Sequence, residues 1–151
     1  MNLPSLRVCF VLTSLLATSG CRTGPSPIPK SLEEMKSAVV GGVWWTPGRG
    51  YAISLLSDGL LQAWIVDSNS CFPEPCPFPT EILGIHRWTP SNYMSDSGGG
   101  AICTIVVESA DTAPSEYRLR LHSGEQDHPA DDFDHLELKR GVCRWALQRV
   151  R

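Results

Sequence analysis

Tyr117-Arg118-Leu119-Arg120-Leu121-His122 alternates apolar and polar side chains at every step. A strand sends successive side chains to opposite faces, so this segment presents one apolar face and one solvated face, the signature of a half-buried antiparallel sheet. Leu136 and Leu138 alternate with Glu137 and Lys139 in the same manner. Upstream, Ser57-Asp58-Gly59 separates Leu55-Leu56 from Leu60-Leu61. Asp-Gly tolerates the positive φ angles that a tight hairpin requires, so the two flanking segments are expected to pair.

Working outward, β-branched and aromatic runs are punctuated by Gly, Pro, Asp and Ser, giving eight expected strands. They cover Val43 to Thr46, Tyr51 to Leu56, Leu60 to Val66, Thr80 to Trp88, Ala101 to Glu108, Glu116 to His122, His135 to Lys139 and Val142 to Arg149. Ahead of them, Ser31-Leu32-Glu33-Glu34 fits a capping box, and Gly41-Gly42 supplies a stop, so a short helix is expected from Leu32 to about Val40. No other stretch is helical for long enough to cross over between parallel strands. The expected fold is all-β: a small antiparallel up-and-down barrel of about eight short strands preceded by one short N-terminal helix.

The N-terminal region carries Arg7 followed by an apolar run from Val8 to Ala17, a pattern of export signals. It ends in Leu16-Ala17-Thr18-Ser19-Gly20-Cys21. That segment resembles a bacterial lipoprotein cleavage and acylation site, which implies cleavage before Cys21 and lipid attachment to its thiol. Ordinary secretion, after cleavage at Ala17-Thr18-Ser19, and a retained N-terminal membrane anchor are the alternatives. Arg22 after the cysteine tilts the expectation toward the outer membrane, with the protein facing the periplasm. On this reading residues 1–20 are the signal peptide, residues 21–30 a proline-rich tether and residues 31–151 the barrel domain. Removing residues 1–20 leaves 131 of the 151 residues, and subtracting the single positive charge of Arg7 changes the net charge from −3 to −4. That size suits one domain with a single core. The weakly acidic balance argues against nucleic acid as a partner.

Four cysteines remain in the domain: Cys71, Cys76, Cys103 and Cys143. In an oxidising compartment an even number suggests two disulfides. The favoured pairing joins Cys71 to Cys76 and Cys103 to Cys143, worth about 2 and about 4 kcal/mol in the chain-entropy account. A four-thiolate zinc site is the alternative, although paired CxxC knuckles are missing.

Gly42-Val43-Trp44 after a short helix, with Arg144 and Arg149 on the last strand, is similar to the lipocalin-like, or calycin, barrels. The resemblance implies that Arg149 or Arg144 packs across the ring of Trp44 at the barrel base. Adjacent Trp44 and Trp45 must point to opposite faces, which makes the outward ring a candidate contact surface.

Asp96-Ser97-Gly98-Gly99 looks like the nucleophile motif of trypsin-like proteases, but His86 lies in no matching histidine motif and the chain is too short for that double barrel. The motif is therefore expected to be a glycine-rich loop between the fourth and fifth strands. Neither a GxSxG elbow nor an HExxH pair is present. The expectation is a non-catalytic protein without cofactor or resident metal. Glu125, Asp127, Asp131, Asp132, Asp134 and Glu137, interleaved with His128 and His135, form an acidic stretch. It is read as a solvated loop, as a docking patch for a basic partner centred on Asp127, Asp131, Asp132 and Asp134, or as a metal site. The expected function is a membrane-anchored module that binds an envelope protein, in the manner of an inhibitor or immunity factor for an envelope-acting enzyme. The alternative is a carrier of a small apolar ligand held inside the barrel by residues such as Leu55, Trp64 and Leu119.

Overall fold

A computed structural model describes residues 28–46, 48, 50–69, 72, 75–122 and 135–150. Helix α1 spans Leu32–Val39. Eight strands follow: β1 Val43–Trp45, β2 Tyr51–Leu55, β3 Leu60–Ile65, β4 Gly84–Ser95, β5 Gly100–Glu108, β6 Ser115–His122, β7 His135–Arg140 and β8 Cys143–Val150. Each strand pairs antiparallel with the next, and β8 pairs with β1, so the sheet closes into an up-and-down barrel. The all-β barrel with an N-terminal helix is the architecture expected from the alternation and the turn chemistry.

The hairpin between β2 and β3 forms at Asp58-Gly59: Gly59 takes a φ of +83°, and the Asp58 carboxylate accepts the Leu60 amide at 3.1 Å. In the helix cap, the Ser31 hydroxyl accepts the Glu34 amide at 3.2 Å, and Glu34 reaches back to the Lys30 amide at 2.7 Å. Those bonds satisfy donors that a helix start otherwise leaves open. Across β6 and β7, Leu119 faces Leu138 and Leu121 faces Leu136 on the inner side, while Arg120 faces Glu137 on the outer side.

The fourth strand departs from expectation. Thr80–Ile82 forms a 3-10 turn, and the strand begins only at Gly84, then runs on through Pro90 to Ser95. Proline is usually excluded from a central strand because it lacks an amide donor. Here β3 pairs with β4 only as far as Arg87, so from Trp88 onward β4 has a strand partner only on its β5 side. The missing amide of Pro90 therefore need not break a ladder. A register shift between Ser91 and Met94, with Asn92 at a φ of +51°, absorbs the extra residue as a bulge.

The disulfide pairing also differs. Cys76 bonds to Cys143, 67 positions away, with a Cα separation of 5.3 Å. This rules out the Cys71–Cys76 and Cys103–Cys143 pairs; Cys71 itself lies outside the described residues. Cys103 is a free thiol because its position on β5 points into the barrel with Ala101 and Ile105, whereas Cys143 sits at the rim. Burial pushes the Cys103 thiol up to about 11.

Both ends of the barrel are closed. At one, α1 inserts Met35 and Val39, both fully buried. The Trp44 indole donates to the Val39 carbonyl at 3.0 Å, the Arg149 guanidinium lies 4.5 Å from the Trp44 ring centroid, and Arg149 also donates to the Ala38 carbonyl. Arg149, and not Arg144, is the residue over that ring. At the other end the β3–β4 connection folds over the mouth. Phe78 stacks on Tyr51 at 4.2 Å and meets Trp145 edge-on at 6.4 Å, and Ile82 points into the core. Glu81 holds this connection to the barrel by accepting the Tyr117 hydroxyl at 2.8 Å and pairing with Arg140. The disulfide fastens the same connection to the β7–β8 turn.

Reducing the disulfide removes a cross-link worth about 4 kcal/mol in the chain-entropy account. Urea denaturation of the Cys76→Ser/Cys143→Ser double variant is expected to show a loss of that order, whereas an unchanged midpoint would mean that the cross-link does not constrain the unfolded chain. Burial raises the affinity of Glu81 for a proton, but hydrogen bonds from its own backbone and Tyr117, together with the Arg140 charge, hold it below its ordinary value of 4.5. The folded state therefore favours the carboxylate, so this contribution to stability is complete above pH 4.5 and disappears as pH falls through the lower folded value. Glu81→Gln should lower stability at pH 7 and flatten the acid limb of a stability–pH curve. Parallel wild-type and variant curves across that range would refute the assignment.

Candidate functional site

Among the described residues, a void of about 10 Å³ lies in the barrel interior, lined only by apolar or aromatic side chains, among them Ile53, Leu61, Ile105, Leu119 and Leu147. A volume near the limit for one water molecule, without polar partners, favours a dry void. Leu55 and Leu119 are core residues, as expected of them, but Trp64 is not. Its indole lies on the outer surface and is 39% exposed, because it shares the strand parity of Gln62 and opposes the inward Ala63. The interior set expected for an apolar ligand is corrected accordingly.

The serine motif is a structural turn. Asp96 and Gly100 close the β4–β5 hairpin through a backbone bond of 2.8 Å, and Gly99 adopts a φ of +85°. The Asp96 carboxylate accepts the Gly98 amide and pairs with Arg120, which together hold it below the usual carboxylate range. His86 lies toward the opposite end of β4, where its ring Nε2 is 2.8 Å from the Leu83 carbonyl oxygen. Ser97 and His86 are therefore not brought together. Among the described residues, no group of three or more His, Cys, Asp or Glu side chains could hold a metal ion.

The outer surface is divided by charge. On β6 and β7 the outward positions are ionic: Arg118 faces Lys139, Arg120 faces Glu137, and His122 faces His135. Burial and the neighbouring Arg120 charge both disfavour protonation of His122, lowering its pKa. Glu125, Asp127, His128, Asp131, Asp132 and Asp134 lie outside the described residues, as does Cys21.

On the other side, around β1 and β2, the outward positions carry no charge. One row continues from the His122–His135 pair through Gln148, Trp45 and Ala52 to Trp64. The next row runs through Val150, Val43, Ser54 and Gln62. Trp45 and Trp64 are each 39% exposed, whereas Ala52 between them is 1% exposed and does not belong to the inner core. Trp44 is fully buried, so the outward member of the tryptophan pair is Trp45. Its partner Trp64 was legible in principle, since Leu61 and Ala63 set the inner parity of β3.

No family model matches the chain, and no solved structure matches it. It is similar to the glycerol dehydrogenase large subunit of Gluconobacter oxydans (strain 621H), with 28% identity over 132 residues. The match covers 85% of this chain and spans only 17% of that relative.

Proposed function

We propose that the protein is an envelope lipoprotein, anchored through Cys21 in the outer membrane and facing the periplasm, as Arg22 after the cysteine suggests, whose calycin-like barrel is a non-catalytic module for binding another envelope protein. The observation that carries this reading is the filled and doubly closed barrel. A ligand carrier needs a cavity of hundreds of cubic ångströms, and the interior of about 10 Å³ gives the carrier alternative no support. Activity is accordingly assigned to the outer surface.

The likeness to the Gluconobacter protein supports a protein partner. There a similar stretch belongs to a chain several times longer that is named as a subunit, so the related segment is covalently joined to other protein. In this chain the corresponding contact would be made between separate chains, with an envelope enzyme as partner and inhibition or immunity as its outcome. The docking residues are Asp127, Asp131, Asp132 and Asp134, which precede β7 in the sequence. Their charge steers association with a basic partner, an attraction that weakens with added salt.

Two experiments test the reading. Cys21→Ala should move the full chain from the membrane to the soluble envelope fraction, and continued membrane retention would refute the lipid anchor. Full-length protein solubilised from membranes should retain one envelope enzyme at low salt and release it at high salt, and a variant with all four aspartates changed to Asn should not retain it. Retention of no enzyme, or equal retention by the variant, would count against an acidic docking side.

A further inference from the structure

We propose that the mouth of the barrel beneath residues 75–83 is a binding site for a flat aromatic ring carrying a hydrogen-bond acceptor, kept filled by the protein's own Phe78 while the Cys76–Cys143 disulfide is closed. The inference concerns the interior and depends neither on a lipid anchor nor on the acidic residues.

Three observations carry it. First, residues 75–83 belong to the core by their side chains but not by their backbone. Phe78 and Ile82 are 3% and 1% exposed. Yet among the described residues the backbone hydrogen bonds of this segment are internal: the Ile82 amide donates to the Pro79 carbonyl at 3.3 Å, and the Leu83 amide to the Thr80 carbonyl at 3.1 Å. Every ladder of the barrel closes without it. Besides packing, it is fastened by the disulfide, by the contacts of Glu81 with Tyr117 and Arg140, and by the bond between the Leu83 carbonyl and His86. The segment can therefore withdraw while the strands stay paired.

Second, the place that Phe78 occupies suits a ring. Phe78 stacks on Tyr51 at 4.2 Å and lies edge-on to Trp145 at 6.4 Å, and Trp145 lies edge-on to Tyr117 at 6.4 Å. Ile82 and Tyr117 line the void of about 10 Å³ below, so withdrawal of Phe78 and Ile82 joins their vacated space to it. Third, the wall holds an unanswered donor. Trp145 is 3% exposed, and its indole N–H has no hydrogen-bond partner among the described residues. Buried donors are normally paired, because an unpaired one forfeits the bond it made with water. The Phe78 ring carries no oxygen or nitrogen to accept that bond, whereas a ring bearing a carbonyl or a ring nitrogen supplies both the stack and the acceptor.

A dithiol releases the latch. One of its thiolates attacks a sulfur of the Cys76–Cys143 bond, which breaks, and its second thiolate then displaces the mixed disulfide. Two electrons and two protons pass to the cysteines, and the dithiol leaves as a disulfide.

The test uses the full-length protein in detergent, with and without dithiothreitol, titrated with quinoline and with indole. Quinoline carries an acceptor and no donor, whereas indole carries a donor and no comparable acceptor. Calorimetry and the tryptophan indole N–H resonances follow binding. The oxidised protein should bind neither, and the reduced protein should bind quinoline about fivefold more tightly than indole, the worth of one hydrogen bond. The resonance that Trp145→Phe removes should be the one that quinoline shifts, and that variant should lose the preference. Amides of β5 and β6 should keep their protection from hydrogen exchange on reduction, which separates an opened mouth from an unfolded barrel. Phe78→Ala, with the disulfide closed, vacates the ring's place without reductant and should show the same preference. The proposal is overturned by absence of quinoline binding to the reduced protein, by equal affinity for indole, or by a preference that survives Trp145→Phe. It is overturned too by equal binding to the oxidised parent, or by loss of β5 and β6 protection on reduction. None of these outcomes bears on capture of an enzyme by the acidic residues.

Discussion

Closure of the barrel rests on a strand of only three residues. β1 must pair with β2 on one edge and β8 on the other, and three residues provide few ladder bonds for either task. The deficit is met by Trp44. Its ring is clamped between the inner core and the Arg149 guanidinium, its indole N–H is held by the last turn of α1, and Arg149 is in turn tied to Ala38. One aromatic residue thus connects helix, first strand and last strand. A cation over a partly buried indole contributes about 1 kcal/mol, but its larger effect is geometric, because it fixes which strand meets which. The helix is consequently part of the barrel and not an appendage to it. Gly42 fits the same arrangement, since a Cβ there would meet the Arg149 Nε at 3.2 Å.

Features set by local chemistry were legible in the sequence. Asp58-Gly59 specifies its hairpin, Ser31 and Glu34 specify the helix start, and the Tyr117–His122 alternation specifies which side chains of β6 point inward. What escaped depends on neighbours far away in the chain. Pro90 reads as a strand end until it is known that β3 stops pairing at Arg87. Cys76 has a cysteine five positions before it, yet its partner is Cys143, chosen by how the β3–β4 connection lies across the mouth. Sequence proximity favours short loops only when the folded backbone permits them. Trp64 departs from expectation for a subtler reason: a large aromatic is ordinarily assigned to a core by type, whereas parity against Leu61 and Ala63 assigns it outward. Periodicity was the better guide.

The candidate surfaces follow from one economy of the fold. Among the described residues the barrel is packed to the axis with leucine, isoleucine and aromatic rings around a void of about 10 Å³, which directs attention to its outer surface. The outside is then partitioned by strand: four strands apart around the ring, β2 lies at the centre of a neutral aromatic sector and β6 within an ionic one.

The long span of the disulfide bears on how the barrel is held together. Cys76 and Cys143 lie 67 positions apart, and Cys103, between them in sequence, is buried on β5. Its buried, proton-retaining thiol is a poor nucleophile, and this inertness protects the native pairing from exchange once folding is finished. The cross-link between the mouth and the β7–β8 hairpin encloses β4, β5, β6 and β7, so four strands of the barrel are held within one covalent loop.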